Sequence, residues 1–269
     1  MQEIFDIIMS ELPVFVYVLV FLFGLCVGSF LNVCIYRIPA GESIVVVPSH
    51  CMTCGKKLHW YELIPLFSWL ALRGKCHGCK AKISPQYPII ETSNAILWLL
   101  ALIFKGLCLE MFLVQGLLSI LLVIAIIDAR TMEIPNGLNI AIGVLAVIRT
   151  ILFIFVDGHT EKSEILNLVL GSVVMGGIFL IILIASGGRA MGGGDVKLMF
   201  VIGLFLGLKL TILGLALGCI IGSVIHVSLM VIKKAGRQLA FGPYLSAGFA
   251  IAALLGDKIL EWYMGVLGF

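Results

Sequence analysis

Charge is what this sequence has least of. Of 269 residues, 18 are Lys or Arg and 15 are Asp or Glu, 12% in all, about half the share of a soluble domain. Hydrophobic residues make up 61%, against roughly 45–50% in soluble domains. A soluble globule has too little interior to hide that much apolar surface, and a disordered chain has the opposite balance. A net charge of +3 on so few groups leaves no basic face for nucleic acid. A basic segment ahead of the first apolar run is also missing: Glu3, Asp6 and Glu11 stand there instead. That run is too long for a signal peptide and reads as a retained helix. No G-x-G-x-x-G sits in a strand-turn-helix setting, so there is no sign of a Rossmann-like nucleotide fold.

What is present is a series of long apolar runs. Residues 12–36, 165–188, 210–232 and 238–256 contain no Asp, Glu, Lys or Arg, and about 20 apolar residues cross a bilayer as a helix. Shorter candidates lie near 86–104, 111–127, 138–156 and 198–207, the last only ten residues long. The expected fold is an all-α integral membrane protein of about eight transmembrane helices, with a cytosolic loop domain after the first. Taking alternate sides, thirteen of the eighteen basic residues, among them Arg37, Lys56, Lys75, Arg130, Lys197, Lys233, Lys234 and Arg237, fall on one side. The positive-inside rule makes that side the cytosol, with both termini outside.

The one sizeable polar segment is that cytosolic loop. It carries Cys51-Met-Thr-Cys54 and Cys76-His-Gly-Cys79, with a weak echo, Cys-x-x-Cys-x-x-Lys-Leu/Ile, at both places. Paired C-x-x-C turns present two thiolates each to one tetrahedral ion. Two disulfides are the alternative, disfavoured where thiols stay reduced. The expectation is a structural zinc held by Cys51, Cys54, Cys76 and Cys79, with no open position for catalytic water. His50, His59 and His77 read as surface residues, His50 or His77 being occasional substitute ligands. Cys26, Cys34, Cys108 and Cys219 read as small packing residues.

Five aspartates occur in the chain. Asp6, Asp157 and Asp257 fall in outer segments, whereas Asp128 and Asp195 fall at cytosolic helix ends. A carboxylate at membrane depth is costly and marks a functional site. Two brought together share a proton, and such a pair can activate a water and protonate a carbonyl. Three glycines ahead of Asp195 permit close backbone approach or an unwound helix start. Both aspartates could instead cap helices, which suits Asp195 better than Asp128. The residues alone leave a membrane aspartyl hydrolase and an ion-coupled transporter open.

Taken in order, the motifs resemble those of the bacterial type IV prepilin peptidases, over nearly the full length. They are Gly28-Ser-Phe-Leu-Asn-Val-Cys-Ile-Tyr-Arg-Ile-Pro39, Ser49-His50-Cys51, Ile64-Pro65-Leu66-Phe67-Ser68-Trp69, Arg73-Gly74-Lys75-Cys76 and Tyr87-Pro88-Ile89-Ile90-Glu91. The Asp128 block, Gly192-Gly193-Gly194-Asp195-Val196-Lys197 and Phe241-Gly242-Pro243-Tyr244 complete the set. The resemblance implies a GxGD-type aspartyl peptidase of the bacterial cytoplasmic membrane, its active site facing the cytosol. It would cut prepilin or pseudopilin leaders between a glycine and usually a phenylalanine, with Asp128 and Asp195 as the catalytic pair. Many relatives then methylate the new amino terminus with S-adenosylmethionine, an activity associated with the Cys loop. Asn136 stands where many relatives have aspartate. The implied organisation is a first helix over 1–36, the zinc loop over 37–86 and a peptidase core over 87–269.

Glu91, a lone acid followed by thirteen uncharged residues, reads either as an interfacial side chain or as a group that binds the substrate's amino end or leader. It is kept as a substrate-binding candidate. Against the peptidase stand a carboxylate-coupled transporter with a zinc-stabilised gate, a leader peptidase without methyltransferase activity, and a scaffold for pilus assembly. A transporter of that kind would show an internal repeat of spans, and none is visible.

Overall fold

The computed structural model describes residues 2–155, 162–189, 191–231 and 240–267. Asp157, Lys233, Lys234 and Arg237 lie outside them, as do the ends of the runs 138–156, 210–232 and 238–256. Among the described residues there is no strand, and seven helices are long and apolar enough to cross a membrane. Large side chains such as Val14, Ile181 and Ile184 face outward, the arrangement of a protein whose solvent is lipid. Cys34 is buried, but Cys26 and Cys219 stand on outward helix faces rather than in the packing. The chain forms two compact units, Met1–Ser119 and Ile120–Phe269.

In the first unit a short helix α1 (Gln2–Glu11) leads into α2 (Pro13–Ala40), which starts on Pro13. It ends at Gly41, whose left-handed conformation (φ 69°) lets the N–H groups of Gly41 and Glu42 bond back to the Ile38 and Arg37 carbonyls. After the Cys loop and one short helix, α3 (Phe67–Ala71), comes α4 (Gln86–Lys105), antiparallel to α2. A Cβ on Gly24 would lie 2.7 Å from Ala95 Cα, and one on Gly28 would lie 2.6 Å from Glu91 Cα. Glycines four apart thus bring two backbones together, as lipid-embedded helices require. The Asn94 amide donates to Gly24 O (2.8 Å), and the Ser119 hydroxyl donates to Asn94 Oδ1 (2.7 Å). Ser119 lies on α5 (Leu109–Thr131), within which the division between the units falls.

The second unit holds the rest of α5, then α6 (Asn136–Phe155) and α7 (Lys162–Leu170). A π-turn at Gly171–Met175 carries α7 on into α8 (Gly176–Ala185), followed by α9 (Gly193–Val231) and α10 (Gly242–Leu267). As one straight rod, the 39 residues of α9 would be about 58 Å long, far beyond a bilayer core of about 30 Å. The chain breaks at Gly207 (φ 78°, ψ 173°). Before the break, Val201 and Phe205 meet Gly143 and Arg149, so this arm runs parallel to α6. After it, Leu210, Gly214 and Gly218 meet Gly256, Phe249 and Leu245 in turn, so the second arm runs antiparallel to α10. The arms fold back on each other at Gly207, and the expected ten-residue span 198–207 is the end of the first. Asn167 Oδ1 accepts the Leu208 N–H (3.1 Å) and Arg149 donates to Phe205 O (2.8 Å), pairing groups that the break sets free.

Candidate functional site: two carboxylates and a four-thiol cluster

Asp128 stands near the end of α5 with 5% of its surface exposed. Its Oδ2 accepts the N–H of Gly242 at 2.8 Å, the residue that opens α10. A Cβ on Gly242 would fall 2.7 Å from that oxygen. The carboxylate therefore sits at the positive end of a helix other than its own, which resolves the misfit of an aspartate at a helix C-terminus. Asp195 lies in the first turn of α9, its Oδ2 accepting the Gly192 N–H at 3.3 Å. Both aspartates line one cavity of about 210 Å³, with Met132, Glu133, Ile134 and the three glycines. Asp195 lies within the electrostatic field of Asp128. A Cβ on Gly194 would come 2.9 Å from Ile134 Cβ, so this glycine lets the start of α9 close against the segment before α6. Lys197 Nζ donates to Asn136 Oδ1 at 2.7 Å, tying the starts of the same two helices.

In the first unit the two C-x-x-C segments fold alike. Cys51 N–H bonds to Lys56 O, Gly55 N–H to Cys51 O and Leu58 N–H to Ser49 O. Each bond recurs 25 residues on, from Cys76 to Ala81, Lys80 to Cys76 and Ile83 to Gly74. The left-handed turn residue is Gly55 in one knuckle (φ 69°) and Lys80 in the other (φ 60°). All eight cysteines are free thiols. The four loop sulfurs lie within 4.8 Å of one another, with Cys51 Sγ and Cys79 Sγ 3.9 Å apart. Four thiolates about 2.3 Å from one ion would stand about 3.8 Å from each other, so this donor set fits a single tetrahedral thiophilic cation. Among the described residues no other His, Cys, Asp or Glu group of three or more is arranged to hold a metal. The backbone N–H groups of Cys54 and Thr53 push the Cys51 thiol down to about 6. The Ala81 N–H acts on Cys79 in the same sense, but desolvation and the three neighbouring sulfurs outweigh it and push that thiol up to about 11. Such crowding is what a cation relieves.

Glu91 is 5% exposed, not a headgroup-facing side chain. Its Oε2 accepts the Leu66 N–H at 2.7 Å, and Leu66 itself holds a positive φ of 61°. Ser29 and Glu91 both line a cavity of about 120 Å³ with Tyr87, Trp69 and Glu62. Glu62 caps its own 3₁₀ turn through the His59 N–H (2.9 Å) and pairs with Lys56 (3.2 Å). The His59 N–H and Lys56 hold Glu62 below the ordinary carboxylate range. Sequence reading did not single out Glu62, and its spacing from His59, a capping-box interval, was the available signal.

A polytopic helical protein with two carboxylates in one cavity at helix ends, and four thiols gathered beside its first spans, has the architecture of a membrane aspartic peptidase that carries a metal-binding loop. Residues 22–104 match the Bacterial Peptidase A24 N-terminal domain, and residues 116–227 match the Type IV leader peptidase family. The prepilin leader peptidase/N-methyltransferase of Bacillus subtilis is 34% identical over 249 residues, covering 91% of this chain and 97% of the relative. That of Pseudomonas aeruginosa is 30% identical over 92% of this chain and 93% of the relative, and that of Aeromonas salmonicida 28% over 95% and 96%. The chain belongs to the prepilin leader peptidase/N-methyltransferase family. No solved structure matches it.

Proposed function

We propose that this protein removes the leader of type IV prepilins or pilin-like proteins at the cytoplasmic face of a bacterial inner membrane and N-methylates the amino terminus so exposed. Asp128 and Asp195 are the catalytic pair. The observation that carries this reading is that both carboxylates, 67 residues apart in the chain, open into one small cavity walled by glycine backbone. There one carboxylate takes a proton from a water as it attacks the scissile carbonyl, while the other, carrying the shared proton, donates to the carbonyl oxygen. Gly242 N–H fixes the oxygen of Asp128 that does not face the substrate. Gly192 and Gly193, without side chains and exposed, leave backbone for an extended peptide to lie against.

Peptidase chemistry then belongs to the core within 87–269, and methyl transfer to the loop 37–86 with the first span, 1–36, beside it. Cys51, Cys54, Cys76 and Cys79 hold one zinc, which pins the two knuckles together and has no open position for chemistry. Glu91 is a candidate for binding the substrate's amino group or leader. S-adenosylmethionine supplies an electrophilic methyl group when bound. The cavity beside Glu91, about 120 Å³, is below the roughly 300 Å³ of a site for a ligand of that size, so it does not enclose the donor, and Glu91 is assigned no step in the transfer. Mass spectrometry of a pilin processed by the purified protein tests both activities together. Leader loss with a mass gain of one methyl group is expected, and an intact leader with Asp128→Asn. A trimmed, unmethylated terminus would reduce the protein to a peptidase, and normal trimming by Asp128→Asn would overturn the pair.

A further inference from the structure

The stretch from Leu58 to Leu72 is at odds with the polar loop that contains it. Eleven of its fifteen residues are aliphatic or aromatic, and Glu62 is its one Asp, Glu, Lys or Arg. That charge is met by Lys56 and by the His59 N–H. Yet Trp60, Tyr61, Leu63, Ile64, Phe67 and Leu70 are exposed. Together they make an apolar patch that packing within the protein leaves uncovered. Lys57 stands just ahead of the stretch and Arg73 and Lys75 just behind it, all three exposed. Aromatic and aliphatic side chains between cations are the chemistry of a membrane–water boundary.

The depth of the stretch is set by α4 in the same unit. The 20 residues of α4, with Lys105 at the far end, make about 30 Å of helix, the thickness of a bilayer's hydrocarbon core. The start of α4 at Gln86 therefore stands at the membrane surface on the loop's side. Glu91 lies five residues on, about 7.5 Å deeper. A helical side chain leans toward the helix start, and Glu91 Oε2 takes the Leu66 N–H. Leu66 is thus held level with the first two turns of α4. The stretch reverses there, with the Phe67 N–H bonded back to Pro65 O across a three-residue turn (φ 61°, ψ −52° at Leu66). Backbone at this depth must find its partners within the protein. The N–H groups of Ser68, Leu70 and Leu72 bond to the carbonyls of Ile64, Leu66 and Ser68, and Trp69 Nε1 donates to Ile83 O. We propose that residues 58–72 are an interfacial anchor, whose exposed side chains enter the near leaflet at the boundary of headgroups and chains. Lys57, Arg73 and Lys75 lie toward the phospholipid phosphates. The bilayer is the partner already in place at that depth. The two knuckles, which flank the stretch directly, are then held against the membrane surface.

The test places an environment-sensitive fluorescent amino acid at Phe67, or separately at Trp60, in the full-length protein in phospholipid vesicles. Both positions are exposed, so the probe displaces no packing. Phospholipid brominated on its chains quenches from within the leaflet, and iodide quenches from water. At both positions the emission should be shifted to the blue of that of the free amino acid in water. It should be lost largely to brominated lipid and little to iodide. Bromine near the headgroup end of the chain should quench more than bromine near the chain end. Quenching by iodide as strong as that by brominated lipid would put the stretch in water and overturn the anchor. Quenching by neither would mean that protein covers the patch, a pilin or a second copy of the chain, and overturns it equally. Stronger quenching from the chain end would place the stretch deep in the hydrocarbon, where an interfacial anchor does not lie, and overturns it as well.

Discussion

The two units of this chain keep their polar chemistry in opposite ways. In the first, the four thiols come from two short segments whose internal hydrogen bonds repeat one for one. Nearly everything needed to shape each knuckle lies within ten residues of it. In the second, Asp128 takes its partner from Gly242, 114 positions away, and meets Asp195 only because the end of α5 and the starts of α9 and α10 come together. A locally encoded site survives rearrangement of its surroundings. A site assembled from helix ends depends on every close approach between helices. The units should therefore fail separately, and fail differently.

The largest effect tests the separation directly. Asp128→Asn or Asp195→Asn should each lower leader cleavage by at least about 10³-fold, the scale of general acid–base catalysis. Either variant should still bind metal and methylate a pilin supplied already trimmed. Conversely, Cys51→Ser with Cys54→Ser should take the metal content from about one zinc per chain to none and abolish methylation, with cleavage kept within a few-fold. Metal analysis and mass spectrometry read both arms. Loss of cleavage in the cysteine variant would break the comparison, by showing that the first unit supports the carboxylate pair.

That difference also governs what the sequence discloses. The two C-x-x-C knuckles were legible because spacing alone brings C-x-x-C sulfurs together, and the echo between them became a bond-for-bond match. The aspartates were legible by their rarity at the ends of uncharged runs. The expected span at 198–207 existed only as one arm of a helix folded at Gly207, since ten residues are too few for hydropathy to separate from their neighbours. Gly242 stood in a motif with no stated role, because nothing local relates it to Asp128. The stretch 58–72 was read only as a motif within the loop. Fifteen residues are too few for a span, and nothing local tells how deep they lie.

A smaller effect probes the tertiary site at its tightest point. Gly242→Ala places a methyl group about where the Asp128 carboxylate lies, 2.7 Å from Oδ2 and 2.9 Å from Cβ. The carboxylate must shift, and a displacement of about 1 Å at a reacting group costs up to about 100-fold in rate. Cleavage should fall by about 10- to 100-fold, with metal content and methylation unaffected. Smaller still, Gly28→Ala forces apart α2 and α4, where the new Cβ would stand 2.6 Å from Glu91 Cα. Overpacking of this kind costs about 1–3 kcal/mol. Methylation should lose heat stability before cleavage does, when both are followed after graded heating. If the two activities fade together, the units melt as one.

The subtlest test asks whether the first unit keeps its knuckles once the metal is stripped. In the folded loop Cys51 titrates near 6 because the Cys54 and Thr53 N–H groups face its sulfur, whereas Cys79 titrates near 11. At pH 7 Cys51 is then mostly thiolate and Cys79 almost wholly thiol. An alkylating reagent attacks the thiolate, so Cys51 should be labelled first, even though a low pKa blunts its intrinsic nucleophilicity. Lowering the pH from 7 to 5 should slow Cys51 by about tenfold, since that range crosses its titration. Cys79 should gain reactivity only as the pH rises toward 11. Peptide mapping of the chelated protein after brief labelling measures this order. An unfolded loop would lose the N–H donors, and Cys51 and Cys79 would both return to the ordinary thiol value near 8.5 and react alike. Preserved order would mean that hydrogen bonds alone hold each knuckle and that the metal only joins one to the other. Uniform labelling would mean that even the locally encoded site needs its ion to fold, and the contrast with the carboxylate pair would narrow to the range of sequence over which each site is assembled.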